Sequence, residues 1–289
     1  MGILRLSVFY ATLFNSLYKY QDKLINMIRI FILALISALC PSYSEAKNPP
    51  GVMPTTSGEL VITFDARIGN KDFALNQDFN IGSQTLNFNK LRYWVSNLVL
   101  ITVQGTEYIV PDSYFLMEEV DDLNLSGTIK DKMTYPANKR ETITLKNVPA
   151  GKYKSVKFSI GVDSKFNDNL SLRAGELTIA NGMSSIVWMW HSSYIFSSIA
   201  GSVKQGAETK DFKVETGLNA NYQTRTVDFP APINSTASKG IVLNVDVAKV
   251  FDGIDLIKTP LINAMTAPLM TSVANNQATK AIVFGSETK

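Results

Sequence analysis

The sequence predicts an all-β protein: an antiparallel β-sandwich with Greek-key-like connections and short helical segments near the C-terminus. Three observations predict it. Ten or so short runs alternate apolar and polar residues, with Gly, Asn, Pro and Ser between them. The apolar set is rich in aromatics, Val, Ile and Thr, the residues that suit a pleated, half-buried surface. Only the tail from Leu256 to Ala281, rich in Ala, Met, Asn and Thr, has a composition that suits helix. With 289 residues, 45% of them hydrophobic, the chain is long enough to bury the core that such a sandwich needs.

The N-terminus reads as targeting rather than fold. Met27-Ile28-Arg29 is a short basic n-region, Ile30 to Leu39 an apolar h-region, and Ser44-Glu45-Ala46 a small-residue cleavage site. The apolar run is too short to span a bilayer, so a Sec signal peptide over 27–46 is expected, with residues 1–26 an upstream extension and Met27 the true start. Cys40, the single cysteine, falls inside that signal. Leu39 before it is not the small residue that lipid attachment prefers. Cleavage after Ala46 leaves an exported chain with no thiol, whose fold rests on its core alone. Residues 47–58 read as a tether and 59–289 as one sandwich domain.

Within that domain Glu59 to Asp65 is the first strand, with Leu60, Ile62 and Phe64 on one face. Gln84 to Phe88 reads as a short strand and Leu91 to Val103 as a long or bent one. Tyr108 to Met117 is broken by Pro111-Asp112. Glu118, Glu119, Asp121 and Asp122 form an acidic patch, expected to be a solvated turn. Glu141 to Leu145 and Lys152 to Gly161 read as half-exposed antiparallel strands around the turn Pro149-Ala150-Gly151. Phe166 to Asn181 is polar and irregular, a cover for one end of the sheet. Lys210 to Thr216, Arg225 to Phe229 and Gly240 to Val247 complete the strands.

The stretch Ile186 to Phe196 holds Trp188, Trp190 and the only histidine, His191. Strand spacing puts Trp188, Trp190, Ser192 and Tyr194 on one face and Met189, His191, Ser193 and Ile195 on the other. Core packing is the plain alternative for the indoles, and a satisfied, partly buried imidazole for His191. One histidine excludes two-His and three-His zinc sites, and neither a phosphate-binding glycine loop nor an EF-hand loop is present. The formal charge of +3, with its lysines and arginines dispersed, argues against nucleic acid. Paired carboxylates for glycoside hydrolysis could be drawn from Asp65, Glu118, Asp163 or Asp246, but no pattern pairs them, so a non-catalytic protein is expected.

Four segments resemble the MbnP-like copper-binding family, methanobactin-associated periplasmic proteins: Leu91 to Leu98 its "LR-aromatic-aromatic-VSN" strand, Phe158 to Val162 its "F-x-IGV" turn, Trp188 to Phe196 its "W-x-W-x-x-G-Y-x-F" signature and Val245 to Phe251 its "D-V-x-K-I-F" segment. The resemblance implies a periplasmic or secreted copper-binding sandwich. It also implies a tryptophan, here Trp188 or Trp190, oxidised to kynurenine by a dihaem peroxidase-like partner. Ring opening would expose an aromatic amine, whereas an intact indole N–H only donates. His191, Met189 and Glu215 are the metal-ligand candidates, Glu215 standing where the family's "F-x-x-H-x-G" strand has histidine; Met183 is a further thioether. Ser193 replaces the signature's glycine, which implies a degenerate site. The alternatives are an exported structural or adhesion module and a glycan-binding sandwich, each without metal.

Overall fold

A computed structural model describes residues 57–125, 133–185 and 193–288. The predicted signal peptide, most of the tether, and Trp188, Met189, Trp190 and His191 lie outside the described residues. The strands run β1 (Ser57–Ile68), β2 (Lys71–Asp72), β3 (Asp78–Ile81), β4 (Gln84–Thr102), β5 (Glu107–Ile109) and β6 (Tyr114–Val120). Then come β7 (Leu123–Asn124), β8 (Thr134–Tyr135), β9 (Asn138–Arg140), β10 (Thr142–Pro149) and β11 (Lys152–Ile160). Helix α1 (Ser164–Asn167) and a 3-10 turn at Ile179–Asn181 precede β12 (Ser184–Ser185), β13 (Ser193–Gln205), β14 (Glu208–Gly217), β15 (Gln223–Asn234) and β16 (Gly240–Asp246). The chain closes with α2 (Val247–Val250), β17 (Leu261–Ile262), α3 (Ala267–Asn276), a π-turn at Gln277–Ala281, and β18 (Ile282–Thr288).

These elements form a β-sandwich of two main sheets. The smaller runs β10-β1-β16-β18, and the larger is built on β15-β11-β4-β13-β14-β17. Their facing sides share one core. Leu60, Ile62, Phe64 and Ala66 of β1 alternate into it, and five phenylalanines, Phe73, Phe79, Phe88, Phe212 and Phe251, pack there with ring centroids 5.2 to 6.2 Å apart. That much aromatic area removed from water supplies the main drive for the sheets to pair.

The sandwich departs from the expectation at three points. It is not wholly antiparallel, because β1 lies between β10 and β16 and pairs parallel to β16 from Val61↔Gly240 to Arg67↔Asp246. The two strands expected at 84–88 and 91–103 are one, β4. Its inward residues change parity between Phe88 and Leu91, and the register against β13 slips at the same place, with Lys90 opposite Ala200 and Phe88 opposite Gly201. Asn89 is the extra residue of a bulge, so one strand carries both parities. The third point is β18, a strand that follows the C-terminal helix where the sequence predicts none. The expected helix is present, as α3.

The outer face of the larger sheet is also covered. Trp94, Tyr114, Leu116, Tyr194 and Phe196 form a second cluster with Val162, Phe166, Leu177 and Met183. The run expected to cover an end of the sheet, residues 166–181, therefore lies over this outer face. Burial on both faces is why Tyr93, Trp94, Val95 and Ser96 are buried in succession.

Candidate functional site

The described flanks of the Trp188 to His191 stretch are fixed by a short antiparallel pair, Ser184↔Tyr194 and Ser185↔Ser193. Ile195 N–H donates to the Met183 carbonyl at 3.0 Å, and Tyr194 N–H to Asn167 Oδ1 at 2.8 Å. Strict alternation fails beyond this point. The register against β14 slips between Ile195 and Ser197, and Tyr194, Ile195 and Phe196 all join the outer cluster. The two-face arrangement expected from period 2 is therefore already broken at the described end of the stretch.

The Tyr194 ring meets Trp94 edge-on with centroids 5.9 Å apart. Burial pushes the Tyr194 phenol pKa up, and the Arg173 guanidinium pulls the other way. Among the described residues, buried Trp94 Nε1 and Ser193 Oγ have no hydrogen-bond partner. Buried polar atoms normally find one, so the end of the stretch carries unspent hydrogen-bonding capacity.

Glu215 lies on β14 in a cross-strand row that runs Glu118, Arg92, Ser198, Glu215 across four strands. Its carboxylate is buried, accepts from Ser198 Oγ at 3.3 Å and pairs with Lys213 Nζ at 3.0 Å. Lys90 stands near the same carboxylate. Burial pulls the Lys90 ammonium pKa down, while Glu215 raises it. The five-residue step along β13 from Ser193 to the Ser198 row spans roughly 16 Å. His191, two residues before Ser193, has a Cα reach of at most about 7 Å from it, so it meets Glu215 only if the chain doubles back along β13. Met183, the further thioether, is sealed in the outer cluster.

As a test of copper, the described donors fit poorly by themselves. Glu215 is a hard oxygen donor already holding an ammonium group, and the Met183 sulfur is enclosed. A fit depends on His191 and Met189.

A different group, Asp65, Asp72 and Glu141, brings three carboxylates within 4.8 Å of one another. Arg67 contacts Asp65 at 2.8 Å, and Lys139 lies 4.0 Å from Glu141. These cations already offset much of its charge. Burial raises the Glu141 pKa, against the pull of Lys139 and the Ala66 N–H.

The acidic patch expected as a solvated turn divides. Asp121 and Asp122 are exposed, but Glu118 is buried and ion-paired to Arg92 at 2.7 Å. The four carboxylates named as candidates for glycoside hydrolysis each have a partner. Besides Glu118 and the Arg67-bound Asp65, Asp246 caps α2 through Ala248 N–H at 3.1 Å, and Asp163 caps α1 through Lys165 N–H at 3.2 Å. Asp163 also accepts from the Tyr114 hydroxyl and from Asn97 Nδ2 at 3.1 Å. Burial, then this carboxylate, drives the Tyr114 phenol pKa far up. Ser96 Oγ donates to the Gly161 carbonyl at 2.7 Å. Thus Ser96-Asn97 and Gly161, which belong to two of the segments that resemble the family, together with Asp163 just after them, clasp β4 to the exit of β11.

The MbnP family model matches residues 57–267, which includes every strand and clasp just described except the C-terminal α3 helix's main part and β18. The chain belongs to the MbnP family. Among solved structures it is similar to MbnP from Methylosinus trichosporium, at 18% identity over 68% of this chain and 78% of that one, with a TM-score of 0.44. No curated protein matches. No helix among the described residues of this MbnP-family chain is long and apolar enough to cross a membrane.

Sequence reasoning missed the Arg92–Glu118 pair. Its signal was there: an arginine among the apolar residues Leu91 to Val95 must find an anion once that run is buried.

Proposed function

We propose that this chain is an exported copper-binding protein, non-catalytic, that holds the ion in a reduced site around His191. Membership of the MbnP family carries this reading. The anchoring of Ser185 against Ser193 supports it, since the segment bearing the lone imidazole and two indoles is tied to the sheet at both ends. His191 and Met189 offer the imidazole and thioether that copper(I) favours. Oxidation of Trp188 or Trp190 to kynurenine by a dihaem peroxidase-like partner would add an amine and a ketone. The signal peptide at 27–46 would deliver the chain to the periplasm or beyond.

Copper titration of the processed protein beside His191→Ala tests the reading. Saturable binding lost in the variant is expected, and binding no tighter than that of an unrelated one-histidine protein defeats it. Intact mass over the peptide containing residues 188–190 reports ring opening.

One observation favours a second reading, a metal-free exported structural, adhesion or glycan-binding module: Glu215 is already neutralised by Lys213. Lys213→Ala frees that carboxylate. If Glu215 is a ligand held in check, copper binds more tightly in the variant; an unchanged affinity removes Glu215 from the ligand set.

A further inference from the structure

We propose that the buried Arg92–Glu118 pair is a positioning device: it fixes the Asn181–Ser185 run, and through it the base of the segment that carries His191. The claim rests on the copper reading only for its functional consequence.

Arg92 and Glu118 are opposite one another on β4 and β6, 1% and 4% exposed. Arg92 Nε donates to Glu118 Oε2 at 2.7 Å, and its Nη1 donates to the Asn181 carbonyl at 2.8 Å. The Tyr135 ring lies 4.5 Å from the guanidinium carbon. Glu118 Oε1 accepts from the Tyr135 hydroxyl at 2.5 Å and from Asn138 Nδ2 at 2.7 Å. The pair is therefore held by β6, by the β8–β9 region and by the 3-10 turn that ends at Asn181.

From Asn181 the constraint passes on without a break. Its Oδ1 accepts from Met183 N–H at 3.0 Å, and the Met183 carbonyl accepts from Ile195 N–H at 3.0 Å. Between them Gly182 takes a left-handed φ of 72°, and a Cβ there would lie 2.7 Å from Leu125 Cδ2. The turn is thus pinned from both sides, by the guanidinium on its last carbonyl and by Leu125 against its glycine. Helix-end carbonyls need donors, and here a charged side chain supplies one.

A buried ion pair is weak support for stability, because well-packed apolar residues of similar size often do as well. What apolar residues cannot do is grip one particular carbonyl. Arginine can, through a planar fork that reaches two acceptors at once, and lysine cannot reproduce that geometry.

The test uses the full chain in two variants. Arg92→Lys keeps the charge facing Glu118 but loses the fork. Arg92→Met/Glu118→Leu removes both charges together, so neither is left buried alone. Native-state hydrogen exchange is read at the Met183 and Ile195 amides and, as reference, along the β1–β16 ladder. About tenfold or greater acceleration at the two amides in both variants, with the ladder unchanged, is expected, because lost local anchoring opens the turn without unfolding the sandwich. Wild-type protection at both amides overturns the proposal. So does acceleration that is uniform along the chain, which would make the pair merely structural. Copper affinity in the same variants is expected to fall with the loss of protection. A wild-type protein that binds no copper sinks the function proposed above and leaves the exchange result to decide this one.

Discussion

Gly161→Ala puts the described end of the candidate site under a measurable load. Gly161 has a φ of 110°, its N–H donates to the Trp94 carbonyl at 3.0 Å, and an added Cβ would lie 2.5 Å from Phe196 Cδ2 and 2.7 Å from its Cγ. Two costs follow. Holding a side chain at that φ costs of order 1–3 kcal/mol. Moving the fully buried Phe196 ring, which meets Tyr222 edge-on, is an overpacking cost of about 1–3 kcal/mol. Together they come to roughly 2–6 kcal/mol against a total stability of about 5–15 kcal/mol, a fall in Tm of roughly 4–24 °C. Urea unfolding of the wild type, Gly161→Ala, Phe196→Leu and the double variant separates the terms. The smaller leucine relieves the clash but not the backbone strain, so a coupling of about 1–3 kcal/mol is expected. A loss below about 0.5 kcal/mol in Gly161→Ala, or additive singles, refutes the claim that Gly161 is there to admit Phe196.

Three further outcomes follow from the geometry. Phe88 touches four of the other phenylalanine rings in the core or its rim, so Phe88→Ala is expected to cost about 3–5 kcal/mol in urea unfolding; a loss under about 1 kcal/mol would mean the ring cluster is loosely packed. Burial holds the Glu141 carboxyl above its ordinary pKa, so the folded state binds that proton more tightly than the unfolded one. Its favourable contribution is present at low pH and is lost as pH rises through the raised value. As pH rises from about 4, the stability of the wild type should therefore fall relative to Glu141→Gln, and a pH-independent difference in urea midpoints would contradict this. Burial, then Glu118, pushes the Tyr135 phenol up to about 12. The stability tied to that proton persists below the ordinary tyrosine pKa and disappears as pH climbs through about 12, so ultraviolet titration of Tyr135→Phe should lack one late-ionising phenol.

The sandwich was legible because burial on one face leaves a period of two, as in β1, where Leu60, Ile62 and Phe64 point inward and Val61 and Thr63 do not share their burial. Three features were not legible, each for a physical reason. The parallel β1–β16 pair joins residues far apart in sequence, and local pattern carries no information about direction. The bulge at Asn89 disguised one strand as two, since a parity change and a turn look alike in an alternating run. Glu118 looked like part of a solvated acidic turn because its partner, Arg92, lies on another strand. For the candidate site the resemblance supplied the family, while spacing alone supplied a face assignment that Tyr194 and Ile195, both in the outer cluster, do not follow.

The two buried layers of the larger sheet differ in kind, and this bears on where function can change without loss of the fold. The inner layer is almost wholly apolar and closes on the smaller sheet, so a substitution there is felt as lost packing. The outer layer combines Trp94, Tyr114 and Tyr194 with the Glu118, Arg92, Ser198, Glu215 row, so a substitution there rearranges hydrogen bonds as well as contacts. Ser185 and Ser193, which bracket the imidazole-bearing segment, pair between β12 and β13 next to the hydrogen bond from the Ile195 amide to the Met183 carbonyl. Replacing Glu215 or Lys213 alters the charge that an incoming ion would meet and leaves the phenylalanine core untouched. On the copper-binding reading proposed above, stability and metal affinity should separate: variants in the phenylalanine cluster move the first, variants at Glu215 or Lys213 move the second, and a variant set in which the two always changed together would show that the layers are mechanically one.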